Sequence, residues 1–341
     1  MAKPRRKCRG RANCMPAIAL RVQHSLAQGG RALLAACRVF PSPPRPPSQM
    51  SAIMRLPQNV RLGIGLVCCG VVLFAVGEAF VKVLVPKHDV PQIVWARYLF
   101  HAAVFFVLFP TAGVARQLRT TRPLLHVTRS LLMLLATTLF FTALRYLPLA
   151  DAVAINFAAP LLVTALSIPL LGEKVGWRRW CAIVVGFLGV LLIIRPGLGA
   201  MHWAAVLPLG TAVCYSLYQV LTRIAARTDN VQTSLFWTSA VGVLVSSCIV
   251  PFFWTTPTLA SWGWMIALGA VYGVGHYLLI RGLEIAQASV VSPFIYTQIV
   301  WAAALGYLFF GDLPDGFTVT GACIVIASGL YIWRRESRPA A

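Results

Sequence analysis

The chain has 341 residues, 58% of them hydrophobic and 11% charged, where a soluble domain carries about a quarter charged. So few polar groups cannot cover a water-exposed surface, which excludes a soluble globular protein and makes lipid the solvent. The net charge of +21 would suit nucleic acid, but no basic patch with interleaved aromatics exists, so no nucleic-acid partner is expected.

Residues 1–54 hold ten of the thirty basic residues, no Asp or Glu, and a proline-rich run from Pro41 to Pro47. Such composition does not form a packed core and reads as a disordered basic, Pro-rich extension. An Arg-rich, acid-free leader also looks like a transit peptide. The preferred alternative is a translation start at Met50 or Met54, just before the first apolar run. The apolar run from Ala17 to Leu20 is too short for a secretory signal.

From Leu62 onward, apolar runs of about twenty residues follow one another, the length that crosses roughly 30 Å of hydrocarbon. They predict helices at 62–85, 91–110, 124–147, 150–171, 177–195, 203–226, 231–253, 262–283, 286–310 and 317–333. The connections are short and carry Pro, Gly and charge, as in Pro86-Lys87-His88-Asp89 and Gly172-Glu173-Lys174. Helices are required here because open strands would leave backbone groups unpaired in lipid. Gly172-Glu173-Lys174 itself reads as a helix stop and cytoplasmic turn.

Orientation follows from Lys and Arg. With a cytoplasmic amino terminus, twelve basic residues lie inside: Arg116, Arg119, Arg122, Lys174, Arg178, Arg179, Arg223, Arg227, Arg281, Arg334, Arg335 and Arg338. Only Lys87, Arg145 and Arg195 lie outside. That bias predicts a multi-pass protein of the cell (inner) membrane with both termini cytoplasmic.

The chain repeats itself at a period of about 140 residues. Leu171-Gly172-Glu173 matches Phe310-Gly311-Asp312, Ala143-Leu144 matches Gly282-Leu283, and Phe157 matches Tyr296. Glu78 and Lys82 of the first span match Gln219 and Arg223 of the sixth. The halves, 61–195 and 203–335, each hold five spans. An odd number makes the second half enter from the opposite side, which predicts an all-α membrane protein of two inverted five-helix repeats, a common basis for alternating access.

The stretch from Ala143-Leu144-Arg145-Tyr146-Leu147-Pro148-Leu149-Ala150-Asp151-Ala152 through Pro160 and Leu170-Leu171-Gly172-Glu173-Lys174 carries a family signature. It continues in Trp177-Arg178-Arg179-Trp180, Gly186-Phe187-Leu188-Gly189-Val190 and Arg195-Pro196-Gly197. It resembles the EamA family of the drug/metabolite transporter superfamily over about residues 60–335. The second half departs from the pattern, with Gly311-Asp312 where Gly-Glu is usual and no Arg-Pro-Gly close. Glu78-Ala79-Phe80-Val81-Lys82 and Trp95-Ala96-Arg97-Tyr98-Leu99-Phe100-His101 resemble the first two helices of a subgroup that often has Asp where Glu78 stands. The resemblance implies a ten-helix basket with a central cavity open to alternate sides. Family members move amino acids, nucleoside-like metabolites, S-adenosylmethionine, riboflavin or metallophores.

Charges inside a span are costly and tend to mark pathways. Glu78 and Lys82 sit four apart and share a helix face. At 1.5 Å per residue, Glu78 and Arg97 both lie about 10 Å below the outer surface, so Glu78, Lys82 and Arg97 are expected to form one charged network. Glu78 could couple protons or bind a cation, and Arg97 could bind an anion. The alternative is a permanent ion cluster that fixes packing. Cationic company is expected to keep Glu78 ionised. His101 follows Arg97 by four and reaches mid-membrane, where a hydrogen-bonded structural role competes with a ligand role. Asn156, Gln219, His276 and Gln298 are uncharged polar groups within spans, candidates for substrate contact or interhelical hydrogen bonds. Tyr215, Tyr218, Tyr296, Trp95 and Trp301 could line a cavity for a flat, conjugated substrate or could pack and anchor. Tyr215 and Gln219 share a face with Arg223 by four-residue spacing.

Other classes lack their residues. Nine acids are spread along the chain with no His/Glu metal spacing and no GxSxG, so an integral-membrane enzyme is a remote alternative. No TVGYG loop or GxxxxGK[ST] occurs, so neither a channel filter nor a nucleotide site is present. The nine cysteines are scattered, and the adjacent Cys68-Cys69 diverge by about 100°, so no metal set forms. The reading is a secondary transporter of a small organic metabolite, leaning to a heteroaromatic such as riboflavin or S-adenosylmethionine. The alternative is an exporter of amino acids, drugs or metallophores. Expected partners are the substrate and the lipid bilayer, with a homodimer left open and no cofactor.

Overall fold

The computed structural model describes residues 60–108, 119–171, 177–195, 203–286 and 293–336. The basic extension at 1–54 and the Gly172-Glu173-Lys174 turn lie outside the described residues. Among the described residues every regular element is helical: α1 (Val60–Leu84), α2 (Val90–Leu108), α3 (Pro123–Ala143), α4 (Leu149–Asn156), α5 (Ala159–Leu171) and α6 (Trp177–Ile194) in the first half. The second half holds α7 (Val206–Ala225), α8 (Val231–Ile249), α9 (Leu259–Ile285), α10 (Thr297–Phe310) and α11 (Gly316–Glu336). Nine stretches have the length and hydropathy to cross a membrane, and the apolar run of α6, Trp180–Ile194, is shorter. Its 18 residues still rise about 27 Å, enough to complete a tenth crossing.

Two predicted spans are not continuous. The fourth breaks into α4 and α5 at Phe157 and Ala158, because Pro160 has no N–H to bond the Asn156 carbonyl. The ninth is interrupted at Tyr296, between helical residues 293–295 and α10. The two breaks occupy equivalent places in the repeat, and their aromatic rings meet with centroids 5.2 Å apart.

Side-chain contacts assign helix ends to two faces. Lys82 pairs with Asp312, Arg145 with Asp89 and Arg195 with Asp315. Thr255 bonds both His88 and Gln92, and Tyr146 packs on Trp203. These gather the ends of spans 1, 3, 5, 7 and 9 on one side, here termed the upper face. On the lower face, Asp229 after α7 bonds Thr120 and His126 ahead of and within α3. A Cβ on Gly63 at the start of α1 would press against the end of α9 at Gly282 and Ala286. Span 1 therefore begins on the lower face and span 6 on the upper, so the two five-span halves run in opposite directions.

Helix packing follows the same pseudo-two-fold. Span 1 packs on span 8 as span 6 packs on span 3, and span 2 on span 8 as span 7 on span 3. Spans 2 and 7, 4 and 9, and 5 and 10 pair with each other. The closest approaches use small residues: Gly70 lies against the backbone of Gly275, and Gly189 against that of Gly321, where an added Cβ would clash. Without a hydrophobic drive between helices in lipid, such backbone proximity is what holds them. Gly311 ends α10 at φ 71° in the left-handed region, as a C-terminal helix stop requires. Large apolar side chains such as Leu131, Val184, Leu188, Leu244 and Leu308 remain exposed on the rim, where lipid would cover them.

Candidate functional site: a central cavity between the repeats

A cavity of about 440 Å³ lies between the halves. Among the described residues, every span except the fifth and seventh contributes to its wall. It reaches from Glu78, six residues below the upper end of α1, to Arg223, Leu283 and Trp333 near the lower ends of α7, α9 and α11. The cavity therefore extends toward the lower face. Above it lies the upper layer of ion pairs.

Eight predicted residues line it: Glu78, Arg97, Asn156, Tyr215, Gln219, His276, Tyr296 and Gln298. Glu78 is 5% exposed, and its Oε1 accepts a hydrogen bond from Gln298 Nε2 at 2.7 Å across the two repeats. Its Oε2 is buried without a partner. Arg97 is also 5% exposed and donates from Nη1 to Thr137 Oγ1 at 3.1 Å. The Thr137 hydroxyl donates to the Met133 carbonyl, which leaves its oxygen lone pairs for Arg97. The guanidinium lies 4.4 Å from the Tyr272 ring centre and 4.8 Å from that of Tyr98, and its Nε has no partner. Asn156, at the end of α4, presents a buried Oδ1 without a partner. His276 bonds the Tyr272 carbonyl through Nδ1 at 2.8 Å, which assigns that nitrogen the proton. Phe74 meets the His276 ring edge-on at 4.8 Å, and Tyr215 stacks on Tyr218 at 5.9 Å.

The expected charged network does not form. Lys82 sits one turn above Glu78 and is taken by Asp312, with Phe310 under its ammonium at 4.9 Å. Arg97 pairs with no carboxylate among the described residues. The cationic company thought to hold Glu78 ionised is therefore occupied elsewhere or outside ion-pair distance. Lys82, Trp95 and His101 lie outside the lining. Two residues along a helix turn about 200°, so with Arg97 facing the cavity Trp95 faces α8 and α9. There it donates to Ser247 Oγ and meets Trp254 and Trp262 edge-on. His101 bonds Ser239 Oγ and stands behind His276, ring centres 5.3 Å apart. Trp301 faces outward on α10.

Sequence reasoning passed over Thr137, Tyr272 and Arg129. The first two carry no in-span charge and are recognised only by what they touch. Arg129 is an in-span charge and could have been found on the same grounds as Glu78. It is 1% exposed and makes five hydrogen bonds, to His126 Nδ1, Thr222, Ser234 O, Tyr218 and Thr238. Guanidinium N–H groups only donate, so His126 Nδ1 accepts, and its Nε2–H donates to Asp229. The cluster ties α3, α7 and α8 at the lower face. Burial pushes the Asp229 carboxyl up, but hydrogen bonds from His126, Thr120 and Thr228 outweigh it and hold the carboxyl below the usual aspartate range. At the upper face, the Thr318 backbone N–H on Asp315 holds that carboxyl below the usual range, with Arg195 adding to it against a smaller opposing effect of burial.

A bundle of ten spans in two opposed halves, enclosing a polar and aromatic cavity that reaches toward one face, defines a membrane transporter built on internal inversion. The sequence model of the EamA-like transporter family matches residues 61–195 and again 202–334, and the chain belongs to that family. It is similar to the S-adenosylmethionine uptake transporter of Rickettsia bellii, 25% identical over 81% of this chain and 95% of that one. It is 28% identical to the riboflavin transporter of Rhizobium johnstonii over 65% of this chain and 74% of that one. Similarity to the pseudopaline exporter CntI of Pseudomonas aeruginosa is 28%, over 81% of this chain and 98% of that one. A solved crystal structure superposes with a TM-score of 0.58 at 18% identity, covering 81% of this chain and 99% of the other, a likeness of fold.

Proposed function

We propose that the protein moves a small heteroaromatic metabolite across the cytoplasmic membrane by alternating access, without catalysing a reaction on it. The observation that carries this reading is the cavity itself. It is lined from both repeats, walled by Phe74, Phe157, Tyr215, Tyr272, Tyr296 and Trp333, and supplied with the polar groups of Glu78, Arg97, Asn156 and Gln298. Such a surface suits a flat ring with a few polar handles. The likeness to transporters of S-adenosylmethionine and riboflavin supports that class of substrate.

With basic residues concentrated in the turns of the lower face, that face is cytoplasmic and both termini are inside. The conformation is then inward-facing, closed to the exterior by the upper ion pairs. In the opposite state the two halves exchange roles, and the lower cluster around Arg129 would close instead.

The test is substrate movement in a transport-deficient host fed labelled S-adenosylmethionine or riboflavin, with and without an uncoupler. Saturable accumulation or efflux that depends on the protein is expected, and it should fall at least tenfold in Glu78→Gln and in Arg97→Gln. If both variants transport as the parent does, the two charges serve packing alone. If neither metabolite moves, the heteroaromatic reading is wrong.

A further inference from the structure

We infer that His276 Nε2 reads the edge of the transported ring, accepting a hydrogen bond from an N–H that the substrate presents there, such as a ring imide or an exocyclic amine. The inference rests on the transporter reading above and adds the residue that selects for such a donor.

Spans 3 and 8 carry the same local device at equivalent places. Thr137 donates its hydroxyl proton to the Met133 carbonyl at 2.8 Å, and His276 donates from Nδ1 to the Tyr272 carbonyl at 2.8 Å. Both bonds run back one turn along their own helix. The offset from Thr137 to His276, like that from Met133 to Tyr272, equals the offset from Phe157 to Tyr296. Each side chain has thereby committed its proton and keeps an acceptor: the oxygen of Thr137, and Nε2 of the neutral His276 ring.

In the first half protein donors fill that acceptor. Arg97 Nη1 bonds Thr137 Oγ1 at 3.1 Å, and the Tyr98 hydroxyl lies 3.4 Å from the same oxygen. In the second half no described residue does so. Helices α2 and α8 both run 19 residues, and Thr238 holds in α8 the place that Arg97 holds in α2. Thr238 is engaged elsewhere: it donates to the Ser234 carbonyl at 2.9 Å and accepts from Arg129 Nη2 at 3.0 Å. The counterpart of Tyr98 is Ser239, whose hydroxyl meets His101 Nδ1 at 3.1 Å. No described residue bonds His276 Nε2, and the residue lines the cavity.

The ring is held in place. Phe74 meets it edge-on at 4.8 Å, His101 stands behind it at 5.3 Å, and turning it over would break the bond to Tyr272. Water serves an open acceptor well, so a ligand that displaces the water without supplying a donor loses affinity. A ring that brings its own N–H keeps it. The acceptor therefore discriminates between flat rings of equal size.

Binding to the full-length chain purified in detergent, measured by titration, tests this separately from flux. Two probe pairs differ at one donor edge: riboflavin against N3-methylriboflavin, and adenosine against purine riboside, which lacks the exocyclic amine. In at least one pair the donor-bearing ring should bind about tenfold tighter, the scale of one hydrogen bond. His276→Leu and His276→Phe, without the acceptor, should bring that pair within about twofold. His276→Gln, whose carboxamide oxygen can stand in for Nε2, should keep a preference of about threefold or more. A packing role alone would shift both members alike and leave their ratio intact. A ratio that survives His276→Leu or His276→Phe unchanged overturns the inference. So does a parent that binds both members of each pair equally, whatever the variants do, and the heteroaromatic reading then still stands. Absence of binding by every probe overturns both.

Discussion

Phe157 and Tyr296 hold equivalent places in the two repeats, and their rings meet at 5.2 Å where the fourth and ninth spans break. The contact lies in the cavity wall, between two helix interruptions beside Asn156 and Gln298. Broken helices near the membrane midplane are a recurrent way to build a substrate site from otherwise self-satisfied helices.

Gly329 of α11 backs this pair, and a Cβ there would collide with the Tyr296 hydroxyl. Gly329→Ala should displace Tyr296 into the cavity and raise KM at least fivefold, while Tyr296→Phe in the same background removes the hydroxyl but not the ring carbon that a Cβ would also meet, and restores only part of the affinity. An unchanged KM in Gly329→Ala would mean that Tyr296 has no part in shaping the site.

The Lys82–Asp312 pair joins the upper end of span 1 to the turn after span 9, and so links the two halves above the cavity. Its partly exposed setting limits its worth to about 0.2–1 kcal/mol, a shift of roughly 1.4-fold to fivefold between two conformations. Asp312→Asn should raise labelling of a single cysteine placed in the upper part of the cavity, in a background free of native cysteines. The reversed pair Lys82→Asp with Asp312→Lys should return labelling toward the parent level. Equal labelling in all three proteins would remove this pair from the closure.

Removing Arg129 leaves His126, Tyr218, Thr222, Thr238 and the Ser234 carbonyl short of a donor. Arg129→Met should lower stability by about 3 kcal/mol. Arg129→Lys should recover little of it, because an ammonium cannot reproduce the planar fork. Thermal unfolding in detergent reads both. A Lys variant as stable as the parent would show that charge matters here and geometry does not.

Asp315 and Asp229 titrate below the usual aspartate range in the folded protein. A depressed carboxyl adds stability that is present above the unfolded-state pKa and is lost as pH falls through the folded one. The Tm of the parent should therefore hold from about pH 7 to pH 5 and fall below about pH 4. Asp315 also accepts from the Thr318 N–H at the start of α11, so Asp315→Ala should cost about 1 kcal/mol at neutral pH. It should also flatten part of the acid decline. A decline identical to the parent's would assign the acid sensitivity elsewhere.

The ten crossings, the opposed halves and the candidate polar residues were all legible in the order of residues, because lipid imposes apolar length and the repeat imposes register. Phe157 and Tyr296 were matched by offset alone. Their contact was not, since neither spacing nor propensity says that the two breaks meet. Likewise Glu78 and Arg97 announced themselves as charges inside spans, but depth alone suggested one charged network with Lys82. The fold sends Lys82 to Asp312, more than two hundred residues away, and gives Arg97 a threonine and tyrosine rings instead. Sequence thus determined how the chain threads the membrane, a one-dimensional matter of length, hydropathy and charge. Which groups face one another across the cavity is a matter of how helices from opposite halves rotate and approach, and only their packing decides it.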